Sequence, residues 1–257
     1  MQAAISSPGP SLSARDLAAG YVPGIEILHG VSVDAHAGEI RCVLGPNGTG
    51  KSTLLKVLYG FLKPSTGEIR CGATVLTGIA PHAMGRHGVA YLPQRPSVFP
   101  FLSVEVNLRL GAWSFRRRHA DVKRKIERAY AQFPILAERR NQAAGTLSGG
   151  QQRQLEFARS LFTEPTVFLI DEPTASIEPR ITGQIYELIR GLAREGKAIL
   201  LVDQNIKGAL GIADYVYVMR TGTLYTEGPR TEFGDDVELL VSQWLYTHAP
   251  PNPRDKG

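Results

Sequence analysis

A glycine-rich segment at residues 45–53, GPNGTGKST, has the residue types and spacing of a phosphate-binding loop. Its glycines let the backbone turn so that consecutive N–H groups point at phosphate oxygens, and a helix beginning at about Gly50 would add the positive end of its dipole. Lys51 would reach the β- and γ-phosphates, and the Ser52 hydroxyl would ligate Mg²⁺. Because an apolar strand precedes the segment and a helical pattern follows it, the segment predicts nucleotide binding rather than a chance glycine-rich turn.

Two carboxylates end an apolar stretch at residues 166–172, TVFLIDE. In ATPases with a phosphate loop, an acid at the end of such a strand orients Mg²⁺ or its waters, which predicts that role for Asp171. Glu172 would then be the general base, because a carboxylate beside the γ-phosphate can accept a proton from the attacking water. A strand ending in Asp-Glu is weak evidence alone, so both assignments depend on the other motifs.

A second candidate anion site lies at residues 147–153, LSGGQQR, where a helix is predicted to begin. Ser148 would present a hydroxyl, and the two glycines after it would leave backbone N–H groups unobstructed at the positive end of the helix dipole. Two phosphate-binding helix starts far apart in sequence are hard to explain in a protein with one self-contained site.

The elements that must position these motifs are short strands around the phosphate loop and a long helical region after it. Residues 103–145 have helical spacing, with Ser103 as the predicted N-cap, and strands alternate with helices from Gly145 onward. Antiparallel strands are expected at residues 31–33, 68–71 and 74–76. Later elements are expected as a helix at 180–194, strands at 198–202 and 215–219, and a C-terminal helix at 235–246.

Composition is ordinary for a folded protein, and the 257 residues carry a formal charge of +5. A basic segment at residues 116–128 indicates first a solvated helix face, and second contact with a membrane surface or a membrane partner. Nucleic-acid binding is disfavoured, because no aromatic interleaving or binding motif accompanies the charges. No apolar run approaches the roughly twenty residues that span a bilayer, and no signal peptide is evident, which predicts a soluble, cytoplasmic protein.

The sequence LSGGQ resembles the signature of the ABC ATPases, the nucleotide-binding subunits of ABC transporters. Residues 45–53 then resemble the Walker A loop of that family, and residues 168–172 resemble Walker B. Gln94 stands where the family's Q-loop glutamine contacts Mg²⁺ or water and couples to the membrane subunits, and Tyr21 matches the aromatic residue that stacks on adenine. The resemblance extends from about residue 12 to residue 229.

This resemblance implies a set of site residues for ATP and Mg²⁺. The expected ATP-binding residues are Tyr21, Gly45, Asn47, Gly48, Gly50, Lys51, Ser52, Thr53, Gln94 and Asp171. The expected metal ligands are Ser52, Gln94 and Asp171, the last either directly or through water. The signature residues that would act on a partner's ATP are Leu147, Ser148, Gly149, Gly150 and Gln151. The expected catalytic residues are Glu172 and Gln204.

The implied fold is α/β, a P-loop NTPase core with a mainly parallel sheet, an antiparallel β subdomain and an inserted helical subdomain. We expect a single domain over residues 11–246, with the helical subdomain at about 100–160 and loose tails at 1–10 and 250–257. Members of the family pair head to tail, so each ATP lies between one chain's Walker A and the other's signature. The expected partners are a second ATPase subunit, transmembrane permease subunits at the cytoplasmic face of the membrane, and a solute-binding protein, with no nucleic acid.

Within the family, the sequence is most similar to the smaller ATP-binding subunit of importers for branched-chain amino acids and related amides or urea. That finer resemblance rests on residues 133–139 (FPILAER), 145–150 (GTLSGG) and 201–205 (LVDQN). An exporter subunit is an alternative with the same motor chemistry. A soluble ABC ATPase acting on DNA or ribosomes would need a long coiled coil or two ATPase units, and a regulator without turnover would not need Glu172.

Two positions depart from the family pattern. Gln204 stands where most members have a switch histidine, and an amide can donate a hydrogen bond to the γ-phosphate but cannot carry a proton. Glu178 replaces an aspartate in the segment 175–178, ASIE, which changes the reach of that carboxylate across the interface. These departures suggest a heterodimer whose partner site retains the histidine, with slower hydrolysis at the site built on Lys51.

Overall fold

The computed structural model describes residues 11–175 and 177–233, and their ten strands form two sheets. One sheet has four antiparallel strands in the order β2-β1-β4-β5, and the other has six strands in the order β10-β9-β3-β8-β7-β6. The strands are β1 (Leu12–Ala19), β2 (Leu28–Ala35), β3 (Ile40–Leu44), β4 (Thr66–Cys71), β5 (Thr74–Val75), β6 (Val89–Leu92), β7 (Val167–Asp171), β8 (Ala198–Val202), β9 (Tyr215–Arg220) and β10 (Thr223–Pro229).

The five strands β9-β3-β8-β7-β6 are parallel, and only the edge strand β10 runs antiparallel to its neighbour. Every residue of β7 and of β8 is buried, as expected for strands covered on both faces. Val202 pairs with Val43 on one side and with Asp171 on the other. The carboxyl ends of three adjacent strands therefore meet at one edge of the sheet, where a parallel sheet places its ligands.

Helices cover both faces of the parallel sheet. The helices are α1 (Lys51–Leu58), α2 (Pro81–Met84), α3 (Val104–Gly111), α4 (His119–Gln132), α5 (Pro134–Glu138), α6 (Gly149–Ser160), α7 (Pro179–Arg194) and α8 (Ile206–Leu210). The Ser103 side chain accepts from the backbone N–H of Val106, which confirms the predicted cap of α3. The helices α3 to α6 are inserted between β6 and β7.

Alternate residues of the parallel strands face two different cores. Cys42, Ile170 and Leu201 pack in a core that contains residues of α3 to α7, whereas Val43 and Leu200 pack with α1 and the antiparallel sheet. The predicted α/β fold, with a mainly parallel sheet and an antiparallel β part, is confirmed. Among the described residues, no helix is both long enough and apolar enough to cross a membrane. The tails and the helix predicted at 235–246 lie outside the described residues.

Candidate nucleotide-binding site

The phosphate loop connects the end of β3 to the start of α1. The N-cap of α1 is Gly50, with a φ of 99°, and Gly45 has a φ of 153°. A Cβ atom on Gly45 would lie 2.5 Å from the carbonyl oxygen of Met219, so a larger residue would displace the backbone of β9. Asn47 and Gly48 are exposed at the tip of the loop. The glycines thus permit both the left-handed backbone and the close approach of two strands.

Lys51 is held inside this loop rather than extended into solvent. Its Nζ donates to the carbonyl oxygens of Gly45 and Pro46, each at 2.8 Å, and the residue is 5% exposed. Burial lowers the pKa of the Lys51 ammonium, while the nearby carboxylates of Glu172 and Asp171 oppose that shift. The loop therefore positions one cation among backbone groups that suit phosphate.

Ser52 and Asp171 bring two oxygen ligands together at the start of α1 and the end of β7. The Ser52 hydroxyl donates to Oδ1 of Asp171 at 3.0 Å, and the Tyr91 hydroxyl donates to Oδ2 at 3.2 Å. Burial raises the pKa of Asp171, and these two hydrogen bonds counteract the shift. A hydroxyl and a carboxylate are the hard oxygen ligands that suit Mg²⁺, which typically completes its shell with waters and substrate phosphates. Among the described residues, no group of three His, Cys, Asp or Glu could bind a metal ion.

Glu172 lies beside this pair in a constrained backbone conformation. Its φ is 44°, and its N–H donates to the carbonyl of Val202 at 2.7 Å. A left-handed non-glycine residue costs roughly 1–3 kcal/mol, and such strain is concentrated at functional sites. The side chains of Gln94 and Gln204 both donate through Nε2 to the same carboxylate oxygen, Oε2 of Glu172. Two amides from distant parts of the chain therefore hold one carboxylate.

The loop that carries Gln204 is anchored by the buried side chain of Asp203. That carboxylate accepts hydrogen bonds from the hydroxyls of Thr174 and Tyr186 and from the N–H of Asn205. Burial raises the pKa of Asp203, and the three hydrogen bonds counteract the shift. The contact joins the loop after β8 to the loop after β7, so Gln204 and Glu172 are positioned together.

Gln94 is held from the other side by helix α6. Arg153 is fully buried and donates to the carbonyl oxygens of Pro93 and Gln94, and it also pairs with Glu156. Glu156 in turn accepts from the N–H and the hydroxyl of Ser97 at 2.8 Å. The helix that begins at the signature thus holds residues 93–97, the segment that carries Gln94. Sequence reasoning missed Arg153, although a charged pair three residues apart on a helix that packs into the core would have indicated it.

Replacing Arg153 with methionine should destabilise the protein by about 3–5 kcal/mol, because removing one member of a buried ion pair leaves the other charge uncompensated. Urea unfolding measures the change. Arg124→Met is the matched control, since Arg124 forms an exposed pair with Asp121 and its loss should cost less than about 1 kcal/mol. Equal losses for the two variants would mean that the buried pair does not hold the segment in place.

Tyr21 lies beside the start of α1, and the residue is 54% exposed. Its hydroxyl is 3.5 Å from Oγ1 of Thr53 and accepts from Nζ of Lys56 at 3.2 Å. The tyrosine is therefore adjacent to the phosphate loop and presents an accessible ring, which suits stacking on a base.

Tyr21→Ala should weaken ATP binding about 5- to 150-fold, from the roughly 1–3 kcal/mol of a base–aromatic stack. Tyr21→Trp should bind ATP about as tightly as the original chain, because it keeps a flat ring. Fluorescence titration with a labelled ATP analogue measures both affinities. If alanine binds as well as tryptophan, the ring does not contact the base.

The signature forms an exposed helix start at a separate place. Ser148 caps α6 in a capping box: its hydroxyl accepts from the N–H of Gln151, whose side chain accepts from the N–H of Ser148. Ser148 and Gly149 are exposed, Leu147 is buried, and a Cβ on Gly150 would lie 2.4 Å from Ile181 of α7. Among the described residues, no hydrogen bond joins these five residues to the phosphate loop. Glu178, the residue before α7, is exposed, and its neighbour Ser176 lies outside the described residues.

The fold and the site define a nucleotide-binding protein of the P-loop class. A family model described as "ABC transporter" matches residues 28–175, and the chain belongs to this family. The chain is 40% identical to the high-affinity branched-chain amino acid transport ATP-binding protein BraG of Pseudomonas aeruginosa, over 79% of this chain and 87% of BraG. It is 38% identical to the probable branched-chain amino acid transport ATP-binding protein LivF of Archaeoglobus fulgidus, over 84% and 91% of the two chains. CbiO1 of Clostridium perfringens, part of the ABC transporter complex CbiONQ, superimposes with a TM-score of 0.80 at 27% identity, over 91% and 94% of the chains.

Proposed function

We propose that this chain hydrolyses ATP to power the import of a small polar solute, such as a branched-chain amino acid, an amide or urea, through separate membrane subunits. The observation that carries the proposal is the Glu172 carboxylate, which Gln94 and Gln204 hold beside the paired oxygens of Ser52 and Asp171. The names of the BraG and LivF relatives support the solute class. The site of action is then the cytoplasmic face of the membrane.

In the proposed reaction, the loop N–H groups and Lys51 bind the β- and γ-phosphates. Ser52 and Asp171 would hold Mg²⁺, which would supply positive charge against the phosphates. Both glutamine amides donate to Oε2 of Glu172, so Oε1 is the oxygen that neither amide engages. This oxygen accepts a proton from water as the water oxygen attacks the γ-phosphorus. The bond from the γ-phosphorus to the bridging oxygen breaks, and its electron pair leaves with ADP.

A second ATPase subunit completes the site. Because Ser148 and Gly149 face solvent, this chain's signature is open to the ATP of a partner, and the ATP on Lys51 needs a signature from that partner. We place this chain in a heterodimer whose other subunit carries a histidine at the position of Gln204. A solute-binding protein would deliver the solute to the permease.

Gln204→His should raise hydrolysis at the Lys51 site about threefold to tenfold, because a histidine can carry the positive charge and the proton that an amide cannot. The gain should be larger below about pH 6.5, where the imidazole carries its positive charge, than above it. Phosphate release from an assembly in which Ser148→Arg silences the partner site, measured across pH, tests both expectations. A variant with unchanged turnover at every pH would contradict the slow-site proposal.

The permease is proposed to dock in a groove between the parallel-sheet part and the inserted helices. The groove is lined by exposed aromatic residues, with Trp113 61% and Phe99 49% exposed. Ser97 and Glu156 also line it, and these residues belong to the contacts that hold Gln94. A segment bound here could therefore shift the amide on Glu172, which would link solute movement to hydrolysis.

Reconstitution tests the proposal. The tagged chain is purified with its co-expressed membrane partners, placed in proteoliposomes with ATP on the side of the ATPase subunit, and supplied with labelled leucine, acetamide or urea on the other side. Uptake that needs ATP and is lost in Glu172→Gln supports import. ATP-dependent movement of solute only away from the side of the ATPase subunit would instead make the chain an exporter subunit. Purification without any membrane protein would contradict both the importer and the exporter interpretation.

A further inference from the structure

A cluster of cations, here called the basic rim, surrounds an exposed tryptophan next to the proposed docking groove. Its members are Arg86, Arg116, Arg117, Arg118, Arg124 and Lys125. They come from the turn after α2, the segment before α4 and the first turns of α4, which the fold brings to two adjoining depressions that share Arg116 and Arg118. The rim and the groove share His82, Gly85, Trp113 and Thr163.

The basic rim has an excess of positive charge. Two carboxylates face it: Asp121 pairs with Arg118 and Arg124, and Glu164 pairs with Lys125. The six cations are thus opposed by two anions. The rim also contains the N-terminus of the fourteen-residue helix α4, whose dipole adds positive potential there. An anionic surface would be attracted to this side of the molecule.

Two aromatic rings that precede the basic segment, those of Trp113 and Phe115, lie against guanidinium groups of the rim. The Arg116 guanidinium lies 4.4 Å from the centre of the Trp113 ring, and that of Arg118 lies 5.2 Å from the Phe115 ring. An exposed indole stacked with arginine combines an apolar ring with a charged tip, the combination that suits the headgroup region of a bilayer.

We propose that the basic rim binds anionic phospholipid headgroups of the membrane that holds the permease. The proposal rests on the proposed function, because docking of the permease in the groove is what turns the adjoining rim toward the bilayer. Mobile headgroups can pair singly with cations spread over separate segments, whereas one acidic peptide would have to match them all at once. The lipid contact would add to the permease contact in holding the subunit against the bilayer.

The test is sedimentation of the isolated full-length chain with vesicles of phosphatidylcholine containing 30% phosphatidylglycerol or none, in 0.1 M salt. The variant is R116Q/R117Q/R118Q, and the charge-matched control is R190Q/R194Q/K207Q, on helices that do not line the rim. Each arginine near an anionic surface contributes about fivefold in affinity, so the rim variant should bind about a hundredfold more weakly. The control should bind within about threefold of the original chain, and 1 M salt should abolish binding.

Equal binding to both kinds of vesicle, no binding to either, or equal losses in the two triple variants would overturn the proposal. So would a rim variant that binds lipid normally but no longer purifies with the permease in detergent, since the rim would then bind an acidic protein segment.

Thermal melting of both triple variants reports on folding. Trp113→Phe, which keeps all six cations, should weaken vesicle binding only a few-fold. ATP hydrolysis by the rim variant should be unchanged. If the chain bound vesicles equally with and without phosphatidylglycerol while the assembled transporter still took up solute, the lipid contact alone would be refuted. If the chain bound phosphatidylglycerol vesicles as expected but the transporter took up no solute, the proposed function alone would be refuted.

Discussion

Replacing Glu172 with glutamine should lower ATP hydrolysis at the Lys51 site by about 10²- to 10⁴-fold while ATP remains bound there. Glutamine has nearly the same shape, and its amide oxygen can still accept the hydrogen bonds of Gln94 and Gln204. Its amide nitrogen, however, cannot take a proton from the attacking water. The variant should therefore retain unhydrolysed ATP between paired subunits. Phosphate release, measured with and without Glu172→Gln in assemblies whose partner site is silenced by Ser148→Arg, gives the rate at the Lys51 site. Gel filtration followed by nucleotide extraction identifies the trapped species.

Glu164→Gln is the matched control for this experiment. Glu164 also has a left-handed backbone, with a φ of 53°, but its side chain lies at the surface and pairs with Lys125. The control should keep turnover within about twofold, because a surface substitution of this kind has only a small effect. If Glu172→Gln also kept its turnover, another group would have to be the base and the proposed mechanism would be wrong.

Replacing Ser148 with arginine should reduce hydrolysis by the assembled transporter about a hundredfold, a loss typical of removing a hydrogen-bond donor from developing negative charge. The serine hydroxyl and the exposed N–H groups at the start of α6 would meet the partner's phosphates, and a long side chain would occupy that space. ATP binding to the isolated chain should stay within about twofold, because its own phosphate loop does not include Ser148. Phosphate release from the assembly and ATP titration of the isolated chain separate the two effects.

Ser103→Arg controls for the loss of a helix cap, since Ser103 caps α3 through the same kind of hydrogen bond. Both substitutions should cost about 1 kcal/mol of stability. Only Ser148→Arg should block turnover. An assembly that carries Ser148→Arg and still hydrolyses ATP and transports solute normally would show that this signature does not serve a partner site, and the heterodimer proposal would fail.

Some features of the fold and the site follow from the sequence alone, whereas others depend on contacts between distant segments. The strand at Ile40–Leu44, the helix after it and the Ser103 cap follow from local patterns of apolar spacing and capping chemistry. For Gln94, only the family resemblance predicts a role, namely contact with Mg²⁺ or water. In the structure its amide donates to Glu172, and the backbone of residues 93–97 is held by Arg153 and Glu156.

The sequence by itself determined the motifs and the chemistry open to them, because the phosphate loop, the strand ending in Asp171 and the capped signature are each short and continuous. Tertiary structure decided which of them act together. Glu172 accepts hydrogen bonds from Gln94, which is 78 residues away in sequence, and from Gln204, which is 32 residues away. Arg153 donates to the backbone of Gln94, which is 59 residues away. Pairings of this kind depend on the order of the parallel strands and on the packing of α6, which no local spacing encodes.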